Sequence, residues 1–264
     1  MNDLFNQVDN RLLLIDAWEN DNVIAGFTTR QSGVSDGAYQ SLNVALHVND
    51  SKKAVMENRQ IVSESLNVDI NDWICLNQIH SRRIIDLTER DDLTPFTHEP
   101  QIEADGLLTN KRKQFLVNFY ADCVPLYFKS KDSEWIGIAH AGWKGTVDKI
   151  GPEMIKMLKN KGISEANIEV VIGPAISKLN YEVDDNVIKH IPLKYREEVL
   201  QRSRPNHYFL DLKRLNELIL VDAGIKPTNI HVSSYCTYRD EKLFFSHRRD
   251  QGKTGRMMAF IYKQ

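Results

Sequence analysis

Phe115-Leu-Val-Asn-Phe-Tyr120, Val124-Pro-Leu-Tyr-Phe128 and Trp135-Ile-Gly-Ile-Ala139 are three apolar runs set almost end to end. Each is rich in aromatic and aliphatic residues and bounded by polar or turn residues, which predicts three strands. Beyond His140-Ala-Gly-Trp-Lys-Gly-Thr146, the residues Ile150, Met154, Ile155 and Leu158 recur at helical spacing until Gly162, a plausible stop. Residues 168–172 then read as a buried strand ending in Gly173-Pro174. Strand, helix, strand order of this kind predicts a mixed β-sheet covered by helices on one or both faces.

Working outward, residues 51–66 carry Val55, Asn58, Ile61, Val62 and Leu66 at roughly helical spacing, with Ser51 or Asp50 available as the N-cap. Residues 73–79 and 83–87 read as strands, and residues 91–100 as a polar, proline-punctuated loop. Towards the C-terminus, Asp211 is placed to cap a helix carrying Leu212, Leu215, Leu218, Ile219 and Val221 as far as Gly224. Residues 230–234, 243–245 and 257–262 read as closing strands. No Gly/Ser/Pro linker and no repeat interrupts the chain, so residues 1–264 are expected to form a single domain.

The 264 residues carry 34 Lys plus Arg against 36 Asp plus Glu, a formal charge of -2. That balance gives no global field for nucleic acid or an acidic membrane, so neither is an expected partner and any anion site must be local. The N-terminus has no basic n-region, and no apolar run approaches the length of a membrane span. Three cysteines, Cys75, Cys123 and Cys236, without a C-x-x-C pair, suit a reduced cytoplasm rather than a disulfide framework. Cys75 reads as core; Cys236, beside Tyr235 and Tyr238, is ambiguous. Of the histidines, His47 is a pocket or ordinary hydrogen-bonded residue, and His98, His190 and His207 belong to surface or loop.

Two local motifs fail on context. Gly33-Val-Ser-Asp-Gly37 matches a nucleophile elbow, but no apolar strand precedes it and no amphipathic helix follows. Gly252-Lys-Thr254 ends like a P-loop, yet His247 stands where the leading glycine belongs and a strand follows instead of a helix. Both read as turns.

His80 and His140 each end an apolar, strand-like run, and Cys123 follows a third. Strand ends are where ligand sites gather in α/β proteins. Two imidazoles and a thiolate form a three-ligand set with a fourth position open, the pattern of catalytic zinc. The same three residues also fit a Cys/His nucleophile pair, or two strand-end histidines beside a buried thiol. The spacing alone does not choose among them.

A longer series of motifs bears on that choice. Gly26-Phe-Thr-Thr-Arg30, Gly33-Val-Ser35, Ser41-Leu-Asn43, Asn58-Arg59, Gln78-Ile-His80, Glu103-Ala-Asp-Gly106 and Ala121-Asp-Cys123 are followed in order by His140-Ala-Gly-Trp-Lys-Gly-Thr146, Ile172-Gly-Pro-Ala-Ile176, Phe244-Phe-Ser-His-Arg-Arg-Asp250 and Thr254-Gly-Arg256. This series resembles the laccase-domain family from about Ile24 to the C-terminus. Its members were first called multicopper polyphenol oxidases and are now assigned as purine nucleoside phosphorylases with adenosine deaminase activity. The resemblance implies a single α+β domain and a zinc held by His80, Cys123 and His140. It also implies purine nucleosides (adenosine, inosine, guanosine, methylthioadenosine) and inorganic phosphate as substrates. The chain departs from many relatives in having Ser81 rather than glycine after His80, and Lys144 rather than arginine after Trp143. Lys144 offers a point charge instead of a bidentate fork.

Deamination needs a proton shuttle, and the glutamate that nucleobase deaminases place two residues after the metal histidine is Arg82 here. Asp122, next to Cys123, is the first candidate for acid/base work, the alternative being a carboxylate that only orients a ligand or a turn. Phosphorolysis needs cations for the phosphate, for which Arg59 and Lys144 rank above Arg248 and Arg249, with Asn43 a further substrate-binding candidate. Two other functions compete. Copper-dependent phenol oxidation lacks the His-x-His pairs of a multicopper chain, although copper binds nitrogen and sulfur ligands more tightly than zinc and would enter this site in vitro. A metal-free cysteine hydrolase would use Cys123 with His80 or His140.

Overall fold

The computed structural model describes residues 3–90, 93 and 99–264. In chain order, the first strands are β1 (Phe5–Gln7), β2 (Leu12–Ile15) and β3 (Val23–Thr28), followed by α1 (Lys52–Leu66), β4 (Trp73–Ile74), β5 (Ile84–Asp86) and β6 (Gly106–Thr109). The central part is β7 (Phe115–Tyr120), β8 (Val124–Ser130), β9 (Ile136–Ala141), α2 (Trp143–Val147), α3 (Ile150–Asn160) and β10 (Ile168–Ile172). Then come β11 (Glu182–Asp184), α4 (Asp185–Ile188), α5 (Leu193–Val199), β12 (Leu200–Arg204), β13 (His207–Leu210), α6 (Leu212–Asp222), β14 (Ile230–Val232) and β15 (Met257–Lys263).

The α+β class is the expected one, but the strands divide among three sheets, with orders β1-β2-β3-β15-β7-β4, β14-β10-β8-β9-β6-β5 and β11-β13-β12. Parallel pairs β4–β7, β5–β6 and β10–β14 make the two six-stranded sheets mixed. Period-two alternation explains how they stack. Phe115, Val117 and Phe119 of β7 pack with Val62 of α1, whereas Leu116 and Tyr120 pack with Tyr127, Ile136 and Ile138 of the second sheet. The far face of that sheet, with Leu126, Phe128 and Ala139, meets Met154, Ile155 and Leu158 of α3 and Leu215 and Ile219 of α6. The layers therefore run α1, first sheet, second sheet, then α3 with α6. Strands covered on both faces read as continuous apolar runs.

The consecutive strands β7 and β8 do not pair. The chain crosses from one sheet to the other through Ala121-Asp122-Cys123, turning at Asp122 with φ +90°. This crossover is what splits the expected single sheet.

The helices form where their caps predict. Ser51 caps α1 by accepting the Ala54 N–H, Asp211 caps α6 by accepting that of Arg214, and Gly162 and Gly224 sit at positive φ beyond the ends of α3 and α6. Two predicted strands need correction. Of residues 73–79 only Trp73–Ile74 forms a strand, with Asn77 making an isolated bridge to Glu103, because the chain then leaves the first sheet and the Gln78 side chain stands in for a strand, donating to the Phe119 carbonyl (3.1 Å) and accepting its N–H (2.7 Å). Cys75 is buried core even so. Residues 243–245 are not a strand either. The Phe245 N–H meets the Met257 sulfur and the Phe244 carbonyl accepts from Arg249, so this segment packs as irregular chain. The glycine motif at residues 33–37 is a turn whose Ser35 hydroxyl donates to Asp50, and residues 250–253 turn ahead of β15. His190 is exposed against Trp143, His207 is half-buried in β13, and His98 with most of the loop 91–100 falls outside the described residues.

Candidate metal centre

Three segments converge where the chain crosses between sheets. Cys123 opens β8 from the crossover, and His140 lies in β9, paired in register with Pro125 of β8. His80 ends the segment that leaves β4 and holds φ +58°, a conformation uncommon for a residue with a side chain. One nitrogen from each histidine and the Cys123 sulfur all lie within 4.8 Å of one another, and the two rings are 4.7 Å apart. Gly142, which follows on β9, makes this approach possible: a methyl there would sit 2.7 Å from His80 Nδ1 and 3.1 Å from Cys123 Sγ.

Behind these groups stands Asp105, fully buried immediately before β6. His140 Nδ1 lies 2.8 Å from Asp105 Oδ1, and a carboxylate only accepts, so Nδ1 carries the proton and Nε2 is left for the cluster. Asp105 also accepts the backbone N–H groups of His80 (3.0 Å) and Ser81 (2.6 Å) and the Ser81 hydroxyl (2.8 Å). The charges reinforce one another. Burial pushes the Cys123 thiol up, but His140 and His80 outweigh it and bring it down to about 6. Burial lowers His140, but Cys123 and Asp105 overcome that and hold it up to about 9. A sulfur close to its thiolate form beside two imidazoles, one oriented by a carboxylate, is a donor set that suits a transition metal.

The cluster forms one wall of a cleft of about 310 Å³ that is also lined by His47, Asn77, Gln78, Phe119, His247 and Arg256. A narrower cleft of about 150 Å³, lined by Asp122, Ile176, Tyr181, Leu212 and Arg248, meets it at Ala121, Cys123 and His247. Arg256 is fixed by Nη1, which donates to the carbonyls of Thr254 (2.8 Å) and Gly255 (2.9 Å). Its Nε and Nη2 have no hydrogen-bond partner among the described residues. Burial, and then the charges of Arg256 and Arg59, bring His47 down to about 4, so its ring is neutral at physiological pH.

The other residues singled out in the sequence fall elsewhere. Asp122 lines the narrow cleft, but its oxygens accept from the Thr237 hydroxyl (2.7 Å), the Ser246 hydroxyl (3.0 Å) and the Arg248 N–H (2.7 Å). Asn43 is buried, bonding Ala45, Asp50 and the Arg256 N–H. Arg59 is buried in α1, donating through Nε to the Val44 carbonyl, with its guanidinium over the rings of Phe119 (5.2 Å) and Trp73 (5.6 Å). Lys144 is exposed in α2 over Trp143 and lines neither cleft. Arg249 is committed to the carbonyls of Thr237, Tyr238 and Phe244. Cys236 is buried against Ser177 and Asn180. Asp105 and Arg256 were given no role in the sequence reading, although Glu103-Ala-Asp-Gly106 and Thr254-Gly-Arg256 both contribute to the resemblance; a carboxylate directly preceding a strand glycine was the available signal for the first.

Comparisons with known proteins agree with this architecture. The family described as multi-copper polyphenol oxidoreductase laccase matches residues 24–264. The chain is 43% identical to purine nucleoside phosphorylase YlmD of Bacillus subtilis over 94% of its length and 93% of that protein's. It is 40% identical to the protein of the same name from Geobacillus stearothermophilus, over 90% of this chain and 89% of that one. The crystal structure of Bacillus licheniformis hypothetical protein YfiH superposes with a TM-score of 0.93 at 42% identity, covering 98% of this chain and 99% of that one. That of YlmD from Geobacillus stearothermophilus also gives 0.93, at 37% identity over the whole of both chains. This chain belongs to the multi-copper polyphenol oxidoreductase laccase family.

Proposed function

We propose that the protein is a zinc enzyme that phosphorolyses purine nucleosides, among them adenosine, inosine, guanosine and methylthioadenosine, and that it also deaminates adenosine. The observation carrying this reading is the cleft itself: three metal-ligand atoms within 4.8 Å on one wall and a guanidinium with unused donors on another. The names of the Bacillus and Geobacillus relatives support the phosphorylase part. A zinc ion held by His80, Cys123 and His140 would supply Lewis acidity and a nucleophile at neutral pH.

The chain's own groups divide the remaining work. Arg256 presents Nε and Nη2 to an anion, the role that the sequence suggested for Arg59 and Lys144, and a fork of this kind matches phosphate. Phe119 and His47, whose rings meet edge to face at 6.2 Å, form an apolar-sided wall suited to a flat base. His47, being neutral, offers a donor or an acceptor without adding charge. Asp122 is assigned to holding the loop that carries His247 and Arg248, because its oxygens already accept three donors.

Purified, metal-replete protein given adenosine is expected to yield adenine and ribose 1-phosphate only when phosphate is present, and inosine with ammonia without it. Absence of all these products removes the reading. Metal analysis of untagged protein separates zinc from copper: stoichiometric copper with phenol oxidation would favour an oxidase instead. The free cysteines and the lack, among the described residues, of a helix long and apolar enough to cross a membrane support the cytoplasm as its compartment.

One geometric fact supports a second reading. Cys123, His140 and Asp105 stand in the order nucleophile, base and orienting carboxylate of a cysteine hydrolase. Hydrolysis that survives a chelator and is abolished by alkylating Cys123 would establish it. In metal-free protein, alkylation of Cys123 is expected to rise through an apparent midpoint near 6 as the thiolate forms, and added zinc is expected to block it.

A further inference from the structure

We infer that Asp105 is a positioning residue that locks both histidines of the cluster at once, so that the affinity of the site for a divalent transition metal depends on one carboxylate that never touches the metal. The inference rests on reading His80, Cys123 and His140 as metal ligands.

The argument lies in where the bonds of Asp105 go. Its side chain is 0% exposed and, among the described residues, bonds only to the two ligand-bearing segments. Oδ1 takes His140 Nδ1 and the His80 N–H; Oδ2 takes the N–H and hydroxyl of Ser81, with a longer contact from the Ile79 N–H at 3.3 Å. A carboxylate whose task was packing would not have all its partners in the three residues 79–81 and in one imidazole. The backbone of Asp105 is held in turn by groups from both six-stranded sheets: its carbonyl accepts the His140 N–H (2.7 Å) and the buried Asn118 amide of β7 (3.3 Å), and its N–H donates to the Arg83 carbonyl (2.9 Å).

Two consequences follow for the ligands. With Nδ1 of His140 committed as a donor, the ring is fixed in one tautomer and one orientation, presenting Nε2. The His80 backbone, left-handed at φ +58°, is held by the N–H bonds of residues 80 and 81 to the same carboxylate. Ser81 adds its hydroxyl to the clamp. His80 and His140 are therefore coupled, although they come from different segments.

The test compares wild type, Asp105→Asn and Ser81→Ala. Zinc and cobalt(II) affinities are measured by competition with a chromogenic chelator, and the cobalt absorption spectrum is recorded. Asp105→Asn is expected to weaken metal binding about 10–100-fold. It should retain the thiolate-to-cobalt band of Cys123 while the d–d bands change. Ser81→Ala, which deletes one donor, is expected to weaken binding by a few-fold and keeps the test decisive if Asp105→Asn fails to fold. Affinity within twofold of wild type in both variants, or in Ser81→Ala alone if Asp105→Asn does not fold, overturns the inference. A lower metal-free melting temperature for folded Asp105→Asn with unchanged affinity also overturns it, since that is the behaviour of a packing residue. Wild type that binds neither metal overturns the metal reading itself, a result recognised before any variant is made.

Discussion

On one side of the cleft Cys123 and His140 come from strand ends and His80 from the segment that follows β4; on the other, Arg256, His247 and Arg248 come from irregular chain between β14 and β15. The strand side is fixed by backbone pairing. His140 sits in register with Pro125 of β8, and Asp105 ties it to the His80 segment. The loop side is fixed by side chains reaching main chain: Arg249 to three carbonyls, Arg256 to two, and Asp122 to the Arg248 N–H and two hydroxyls. A ladder holds atoms to fractions of an ångström but tolerates little change, whereas loops accept substitution and so carry specificity. The strand side is thus suited to hold the metal and the loop side to select what binds beside it. Damage to the two sides is expected to separate: metal lost from the first, substrate handling from the second.

The largest effect is expected at Gly142. Its backbone, φ -65° and ψ 171°, suits alanine, so Gly142→Ala leaves the chain conformation allowed while placing a methyl against His80 Nδ1 and Cys123 Sγ. Zinc content, measured by elemental analysis, should fall below about a tenth of wild type, with loss of about a hundredfold or more in turnover, since several kcal/mol of charge stabilisation leave with the metal. The metal-free melting temperature should barely move. Full zinc occupancy in this variant would mean that the ligands do not close as described.

Asp122→Asn strikes the loop side. Asparagine tolerates the positive φ at this position, but its amide can no longer accept every donor that the carboxylate accepts. Unfolding in urea should show a loss of about 2 kcal/mol, the cost of leaving a buried donor unpaired. Zinc should be retained. If zinc is lost in proportion to stability, the two sides are one unit and the comparison fails.

How much of this could be read from the sequence follows the same division. The runs at residues 115–120, 124–128 and 168–172 announce themselves because both faces of those strands are covered. The half-exposed β11–β13 sheet, with Glu182, Arg202 and Arg204 among its residues, gives no such pattern and went unseen. The crossing between sheets at Asp122 carries no glycine to mark it. His80, Cys123 and His140 lie too far apart in the chain for a local metal motif; their places at the ends of apolar runs group them, but the choice of a metal site rests on the ordered motifs around them. Asp105 was silent because three of its partners are backbone N–H groups, which no sequence displays. Arg59 and Asn43 were candidates for phosphate and substrate binding, but in the fold they bond carbonyls, amides and a carboxylate that organise the first sheet's edge and the Arg256 loop.

Arg256→Ala should raise KM for phosphate about tenfold, the share of one charge-assisted contact, with zinc content unchanged. A fall in turnover with KM unaltered would instead place the guanidinium on the transition state alone. Arg256→Lys should recover only part of the loss, since an ammonium offers no fork.

The smallest effect is expected at Lys144, and it is informative because the sequence suggested otherwise. This residue lies four positions after His140, a proposed ligand. In the fold, however, it is the second residue of α2, and its ammonium sits 5.8 Å from the Trp143 ring on the exposed surface. An exposed cation over an aromatic ring contributes about 0.5–1 kcal/mol to stability and nothing to a phosphate it does not face. Lys144→Ala should therefore keep KM for phosphate and turnover within twofold of wild type. A tenfold rise in KM would require α2 to bend towards the cleft when substrate binds. The strand side of the site would then contribute to substrate selection as well as to the metal, and the division between the two walls would have to be redrawn around a moving helix.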